Sequence, residues 1–404
     1  MRHNEHRPSR STPREVATVC PPDDRQIRRI EAFSAQYRPA LLDLVRQSAA
    51  LGDLADSFPA LLFALATHYG SDSRRRAALA AIADGLSLRE AAGRIGLPMW
   101  LRKLPPSALQ APLVTPPAEP ALTARLVSLI PPQPAAAAAW LERVLIAHHT
   151  GRPELALWVA QQYRAPTPAP HSEAFLTVLA WAWFAGAVPG VRAHALLTTH
   201  WTPSIGAQRA AKEAQLWRER LALDVCLGTG LADSWLEEGS AIGYDFVALR
   251  TADDFIAEAR AMDNCLDRYT DRLEGRTARI FSVRCQGYSV ADIEIAVHER
   301  EPGHPAIAQL RGPRNRRAAI EIWQAAYTWM GNQPLRLAEA RHAVKLSHAT
   351  RTRRRMKLWL PFLDALPEPA RAACEAAVVA STPGERARLS GGARVRSSPP
   401  AQSV

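Results

Sequence analysis

The sequence predicts an α+β protein: a mostly helical N-terminal region, then a small helix, three-stranded antiparallel meander and helix domain, then a basic helical tail. Two patterns carry this. Apolar residues recur at helical spacing through the first quarter of the chain, and between Asp253 and Met330 the spacing changes from helical to alternating and back. Proline clusters between these regions mark where one helical piece ends and the next begins.

Residues 1–24 are rich in Arg, Pro, Ser and Thr, as is the end at 381–404, and both read as disordered basic tails. Over 25–104, Leu41, Leu42, Leu44 and Val45, then Leu61, Leu62 and Leu65, repeat with the period of helices. Gly85 to Trp100 has the outline of a helix-turn-helix. Pro98 and Pro105 leave little room for a recognition helix, so an ordinary helical hairpin is the better expectation. The segment 105–240 is cut by Pro105-Pro106, Pro112 to Pro120, Pro131 to Pro134 and Pro166 to Pro170, and carries Trp140, Trp158, Trp181, Trp183, Trp201 and Trp217. Tryptophan buries a large area, so these predict helix packing, with a base-stacking surface as the alternative. A helical basic extension, 331–380, contains the cation run from Arg351 to Lys357, read as a solvated helix end or a nucleic-acid contact.

The module over 244–330 is the most specific part. Thr251 to Asp254 fits a capping box, and Phe255, Ala259, Met262, Leu266, Tyr269 and Leu273 share one face of a helix expected to run unbroken from Asp253 to Gly275. Arg279 to Cys285 and Ala291 to Val297 alternate as strands. Pairing that keeps one face apolar sets Phe281 against Ile293 and Val283 against Ala291, which needs a three-residue loop over Gln286 to Tyr288 or an equivalent bulge. Phe281, Val283, Ile293 and Ile295 are then expected to lie against the Phe255 to Leu273 stripe, leaving Ser282, Arg284, Asp292 and Glu294 on the opposite, wet face. Ala306 to Arg311 supplies the third strand. Asn315 can cap a last helix, Arg316 to Met330, with Ile322, Ala326 and Trp329 on one face.

This run resembles the PcfJ-like family, named for a protein encoded with conjugative plasmid transfer genes. The residues that carry the resemblance are Met262, Cys265, Tyr269, Gly275, the strand Ile280 to Arg284, the strand Ile293 to Ile295 and the block Gln309 to Asn315. It covers roughly a quarter of the chain. Where members tend to have His-Cys-Val, this chain has Asn264-Cys265-Leu266. The resemblance implies an association with mobile elements and brings no established chemistry.

The chain has 404 residues, 50 Lys+Arg against 39 Asp+Glu and a net charge of +11, a balance that favours polyanionic partners or follows from a base-composition bias toward arginine and alanine. No segment has the ~18 uninterrupted apolar residues that spanning a membrane requires, no leader is apparent, and the five cysteines lack metal or disulfide spacing. A cytoplasmic protein with no membrane partner, no metal and no cofactor is expected. Gln309, Arg311, Arg314, Asn315, Arg316 and Arg317 form the candidate anion site: cations at a helix start are misplaced unless a phosphate, or acids such as Asp253, Asp254 or Glu294, meet them. Cys265, Asp292 and Glu294 are the weaker catalytic candidates. Cys265, expected late in its helix, would need His298 or His304 as base, and the two carboxylates would act as acid and base. The leading functional expectation is a non-catalytic accessory protein that contacts nucleic acid or another polyanion. The alternative is an enzyme using Cys265 or the Asp292/Glu294 pair.

Overall fold

In a computed structural model, the residues described are 24–164, 168–186, 190–274, 277–297, 304–334 and 347–380. The chain divides into two compact units, within 1–164 and 165–404. The tails expected at 1–24 (apart from Asp24) and 381–404 lie outside the described residues, as do Gly275 and His298.

The first unit is helical: α1 Asp24–Ile30, α2 Arg38–Val45, α3 Ala49–Ser57, α4 Pro59–Ala66, α5 Asp72–Ala83, α6 Leu88–Ile95, α7 Pro120–Val127, α8 Pro134–His149 and α9 Pro153–Gln161. Helix α4 is buried on every side, and Phe63 stacks on Phe33 with ring centroids 6.2 Å apart. Ser87 and Glu90 form a capping box at the start of α6, and Gly96 at φ 79° closes it. Beyond Gly96 the chain makes only a 3₁₀ turn, Met99–Lys103, with Trp100 and Leu101 buried, so no second helix is presented to a DNA groove. Trp100 meets Trp140 edge-on, and their indole N–H groups donate to the carbonyls of Pro117 and Ala160. These two tryptophans are core.

The second unit opens with α10 Glu173–Ala185, α11 Arg192–Ala195 and α12 Ala207–Leu227. Trp181, Trp201 and Trp217 are buried, the last against Phe184 and Trp359. Next in the chain are β1 Gly239–Ala241, β2 Tyr244–Ala248, α13 Ala252–Met262, α14 Thr270–Glu274, β3 Ala278–Cys285, β4 Tyr288–Val297, β5 Pro305–Arg311, α15 Ile320–Gly331, α16 His348–Leu363 and α17 Glu368–Ala380. The architecture is mixed α+β, with one antiparallel sheet in the order β1-β2-β3-β4-β5. It has five strands rather than the expected three. β1 has only three residues, too few to show a pattern, and β2 is held by pairing with β3 more than by its own sequence.

The β3–β4 register is the one that keeps a face apolar: Phe281 opposes Ile293 and Val283 opposes Ala291. A two-residue turn, Gln286 at φ 51° and Gly287 at φ 83°, achieves it together with a bulge between Val283 and Arg284.

Three expectations are overturned. The helix from Asp253 is not continuous. It ends at Met262, Asp263 takes the left-handed conformation at φ 49°, and a 3₁₀ turn, Leu266–Arg268, precedes α14. Asp and Asn tolerate that conformation, and a buried ion pair from Arg220 of α12 to Asp267, 2.8 Å, holds the turn. The apolar spacing crosses the break because the turn and α14 keep the same inward side. The apolar sheet face does not meet this stripe. Phe281, Val283, Ile293 and Ile295 pack with Ile322, Ala326 and Trp329 of α15, whereas Phe255, Ala259, Leu266 and Leu273 pack with Leu223 and Leu227 of α12 and Ile280 of β3. Finally, the last helix starts at Ile320 after Ala319, not at Arg316, and Asn315 does not cap it. Among the described residues, no helix is long and apolar enough to cross a membrane.

Trp329 is the centre of the α15 side, stacked on Phe246 at 4.5 Å and edge-on to Phe281 at 4.9 Å, with its indole donating to Glu237 O. Phe281→Ala should therefore lower the unfolding free energy by about 3–5 kcal/mol, measured as the shift in denaturant midpoint, whereas Tyr327→Ala on the solvent side of α15 should shift it by less than about 0.5 kcal/mol.

Candidate functional site: a buried acid layer and an exposed arginine loop

Strand β4 points Ile293 and Ile295 toward α15 and Asp292 and Glu294 the other way, under α13. The register sets Ser282 and Arg311 on either side of Asp292, and Ile280 and Gln309 on either side of Glu294. This face is not wet. Ser282, Asp292 and Glu294 are 0%, 7% and 4% exposed, because α13 lies over them and brings in Glu258, itself 3% exposed.

Each acid is met differently. Glu258 accepts from Ser282 Oγ at 2.8 Å through Oε1 and from Ser289 Oγ at 3.0 Å through Oε2. Glu294 accepts from Tyr269 and Arg272 and, at 3.2 Å, from Gln309 Nε2. Asp292 accepts at Oδ2 from Asn264 Nδ2, 2.5 Å, while its Oδ1 is buried without a donor. Burial, and then the adjacent Glu258 carboxylate, push the Asp292 carboxyl up to about 8, against an ordinary 3.8. Both Glu258 oxygens already accept from serine hydroxyls. Burial and the bond to Glu294 likewise raise the Tyr269 phenol.

Asn264 donates to Asp292 and accepts from Leu266 N at 3.1 Å, which orients its amide. Cys265 lies in the turn after α13, half-buried, and not late in a helix. His304, the other histidine expected as its base, is exposed just ahead of β5. Arg284 donates to Ser282, at 3.2 Å. Among the described residues, no group of three or more His, Cys, Asp and Glu is placed to hold a metal ion.

Glu258, Tyr269, Arg272 and Ser289 belong to this layer and were missed in the sequence, although one signal was present. Glu258 lies three residues after Phe255 and four before Met262, inside the apolar stripe, and an acid there implies a buried polar partner.

The arginine cluster lies at the edge of the same layer, on the loop from β5 to α15. Its loop is a 3₁₀ turn, Pro313–Asn315, with Arg314 and Asn315 both at φ 57° and Gly312 N bonded to Arg316 O at 2.9 Å. Arg311, Arg314, Arg316 and Arg317 are exposed. The acids expected to meet them are engaged elsewhere: Asp253 with Arg192, Asp254 with the start of α13, and Glu294 with Arg272. Arg314 pairs with Asp263 at 2.9 Å on the surface, and Arg311 Nε reaches Gln309 at 3.5 Å. Arg316 and Arg317 have no acid within reach among the described residues. Helix α15 begins at Ile320 with Ala319 as its N-cap, so these arginines precede the helix rather than form its first turn. The cation run of α16 is turned largely inward: Arg351 pairs with Glu274, Arg354 donates to Val225 O and Arg355 to Val378 O.

Comparison with protein-family models, with curated proteins and with solved structures finds no match for this chain. The PcfJ-like resemblance gains no support from these comparisons.

Because the folded Asp292 holds its proton to about pH 8 and the unfolded one only to 3.8, its contribution to stability is complete below about pH 4 and is lost as pH rises to about 8. An asparagine side chain at this position has no acidic proton to lose. Asp292→Asn should thus gain stability relative to wild type between pH 5 and pH 8.5, read as a smaller fall in thermal midpoint over that range. An equal fall in both proteins would show that Asp292 does not hold its proton over this range.

Proposed function

We propose that the module spanning β1 to α15 is a non-catalytic contact for a polyanion, nucleic acid first among them, in an accessory protein, and that the PcfJ-like resemblance and its implied association with mobile elements belong to this reading. The observation that carries it is the β5–α15 loop. Arg314, Arg316 and Arg317 are exposed there within four residues, and the last two have no acidic partner among the described residues. Guanidinium groups so placed favour phosphate oxygens, which they bind in pairs of hydrogen bonds. The net charge of +11 adds a long-range attraction of the same sign.

Full-length protein should bind a generic duplex DNA or RNA with an affinity that falls steeply with salt, since displaced counterions set the slope. The joint variant Arg314→Ala, Arg316→Ala, Arg317→Ala should flatten that slope by roughly one unit for each phosphate no longer held and leave the thermal midpoint near wild type. Wild-type binding without salt dependence, or an unchanged slope in the variant, would end this reading.

A second reading, an enzyme, has one observation in its favour: a carboxyl that keeps its proton to about pH 8 beside another acid is a competent general acid. Here Asp292 would donate, Glu294 would be held by Tyr269 and Arg272, and Cys265 would be the nearby thiol. On this reading any turnover found for the wild type disappears in Asp292→Asn with the fold intact. A turnover that survives that variant rules it out.

A further inference from the structure

Helix α15 has two unlike sides. Ile322, Ala325, Ala326 and Trp329 face the sheet and are buried. The opposite side carries Ile320 at 65% exposure, Tyr327 at 64%, the half-buried Trp323 and the exposed Gln324. At helical spacing Ile320, Gln324 and Tyr327 form one stripe, with Trp323 on its flank. The Trp323 and Tyr327 rings lie 5.7 Å apart and 31° from parallel. A large apolar side chain in the open requires no explanation singly. Here the exposed Tyr327 stands beside Trp323, which packs only in part against the sheet core, so the fold accounts for only part of the pair.

The stripe begins where the arginine loop ends. Arg316 and Arg317 precede Ile320 by only a few residues, and Arg317 is bridged to Arg311 at the end of β5. From Ile320 to Tyr327 the helix rises about 10 Å, so cations and rings lie within the span of a few nucleotides. Glu321 is the one acidic residue of α15 and lies off the stripe. A duplex offers its phosphates but hides its base faces in the stack. Single strands offer both, and proteins that hold them combine a cationic track with aromatic platforms.

We infer that the α15 stripe is a base-stacking platform, and that the polyanion of the arginine loop is a single-stranded nucleic acid whose backbone meets Arg314, Arg316 and Arg317 while its bases stack on Trp323 and Tyr327. This rests on the polyanion reading above and narrows it to one occupant through charge complementarity. Sequence preference is not part of it, because every base has a face to stack and nothing in the stripe presents a fixed set of donors to base edges.

The test uses full-length protein, a labelled single-stranded oligothymidylate and a duplex of equal length, with affinity measured across a salt series. The single strand should bind at least tenfold more tightly than the duplex. Joint Trp323→Ala and Tyr327→Ala should weaken single-strand binding about tenfold or more, leave its salt slope unchanged and leave duplex binding unaffected. Joint Trp323→Phe and Tyr327→Phe should retain most of the affinity, which separates stacking from loss of fold. The arginine variant should show the reverse, a flattened slope on both probes. Equal binding of the two probes, or an alanine variant that binds the single strand like wild type, overturns the stacking inference while a flattened slope in the arginine variant still upholds the polyanion reading. No salt-dependent binding to either probe overturns both. An alanine variant that leaves nucleic-acid binding intact but converts a dimer to a monomer in sedimentation overturns the inference in favour of a second copy of the chain on α15.

Discussion

Strand β4 is buried on both faces, and the two faces have opposite chemistry. A strand alternates its side chains, so Ile293 and Ile295 cannot be covered without turning Asp292 and Glu294 the other way. Were one face left in water, a single apolar layer would suffice. With both covered, the sheet requires an apolar helix on one side and, on the other, a layer that answers each acid with donors. Helix α15 supplies the first through Trp329. The second comes from α13, the turn after it and α14, through Asn264, Tyr269 and Arg272 around the acids of β4, with Ser282 and Ser289 of the sheet facing Glu258 in return.

The left-handed residue Asp263 matters for the same reason. By ending α13 at Met262, it lets adjacent residues serve different partners: Asp263 meets the arginine loop at Arg314, and Asn264 reaches inward to Asp292. An unbroken helix would carry these two positions about 100° apart around its axis and set one of them away from the sheet. The turn is fixed from behind by the buried pair of Arg220 with Asp267, and Arg220 also donates to Thr198. Removing one member would strand the other's charge in a low-dielectric site. The acid layer and the arginine loop therefore share one structural support.

That shared support bears on both functional readings. A proton held on Asp292 depends on how closely α13 lies on the sheet, while the arginine loop depends on Gly312 and the left-handed Arg314 and Asn315 for its course. The arginines point outward because the loop turns before α15 begins, and the aromatic pair of α15 continues the surface they start. The acid layer is closed over by α13; the arginines and rings are open to solvent. Accessibility is the reason that a binding surface is placed ahead of a catalytic centre.

Much of this was legible in the chain. The alternation of Phe281, Val283, Ile293 and Ile295 determined which pairing keeps an apolar face, and no shifted register would have done so. Thr251 and Asp254 determined where α13 starts, and Ile322, Ala326 and Trp329 which side of α15 is buried. These are local patterns, dictated by the periods of strand and helix. Which helix covers which face was not among them, because the stripe from Phe255 and the stripe from Ile322 are equally apolar, and only the packing of α12 against the first sends the second to Trp329's side of the sheet. The break at Asp263 was hidden because the 3₁₀ turn and α14 keep the apolar spacing going. The burial of Asp292 was hidden because a strand of alternating acids reads as a wet face until something is placed over it. The sequence by itself determined the elements, the register and the acids' common face; tertiary structure alone decided that the face is dry, since burial depends on what another segment brings across it.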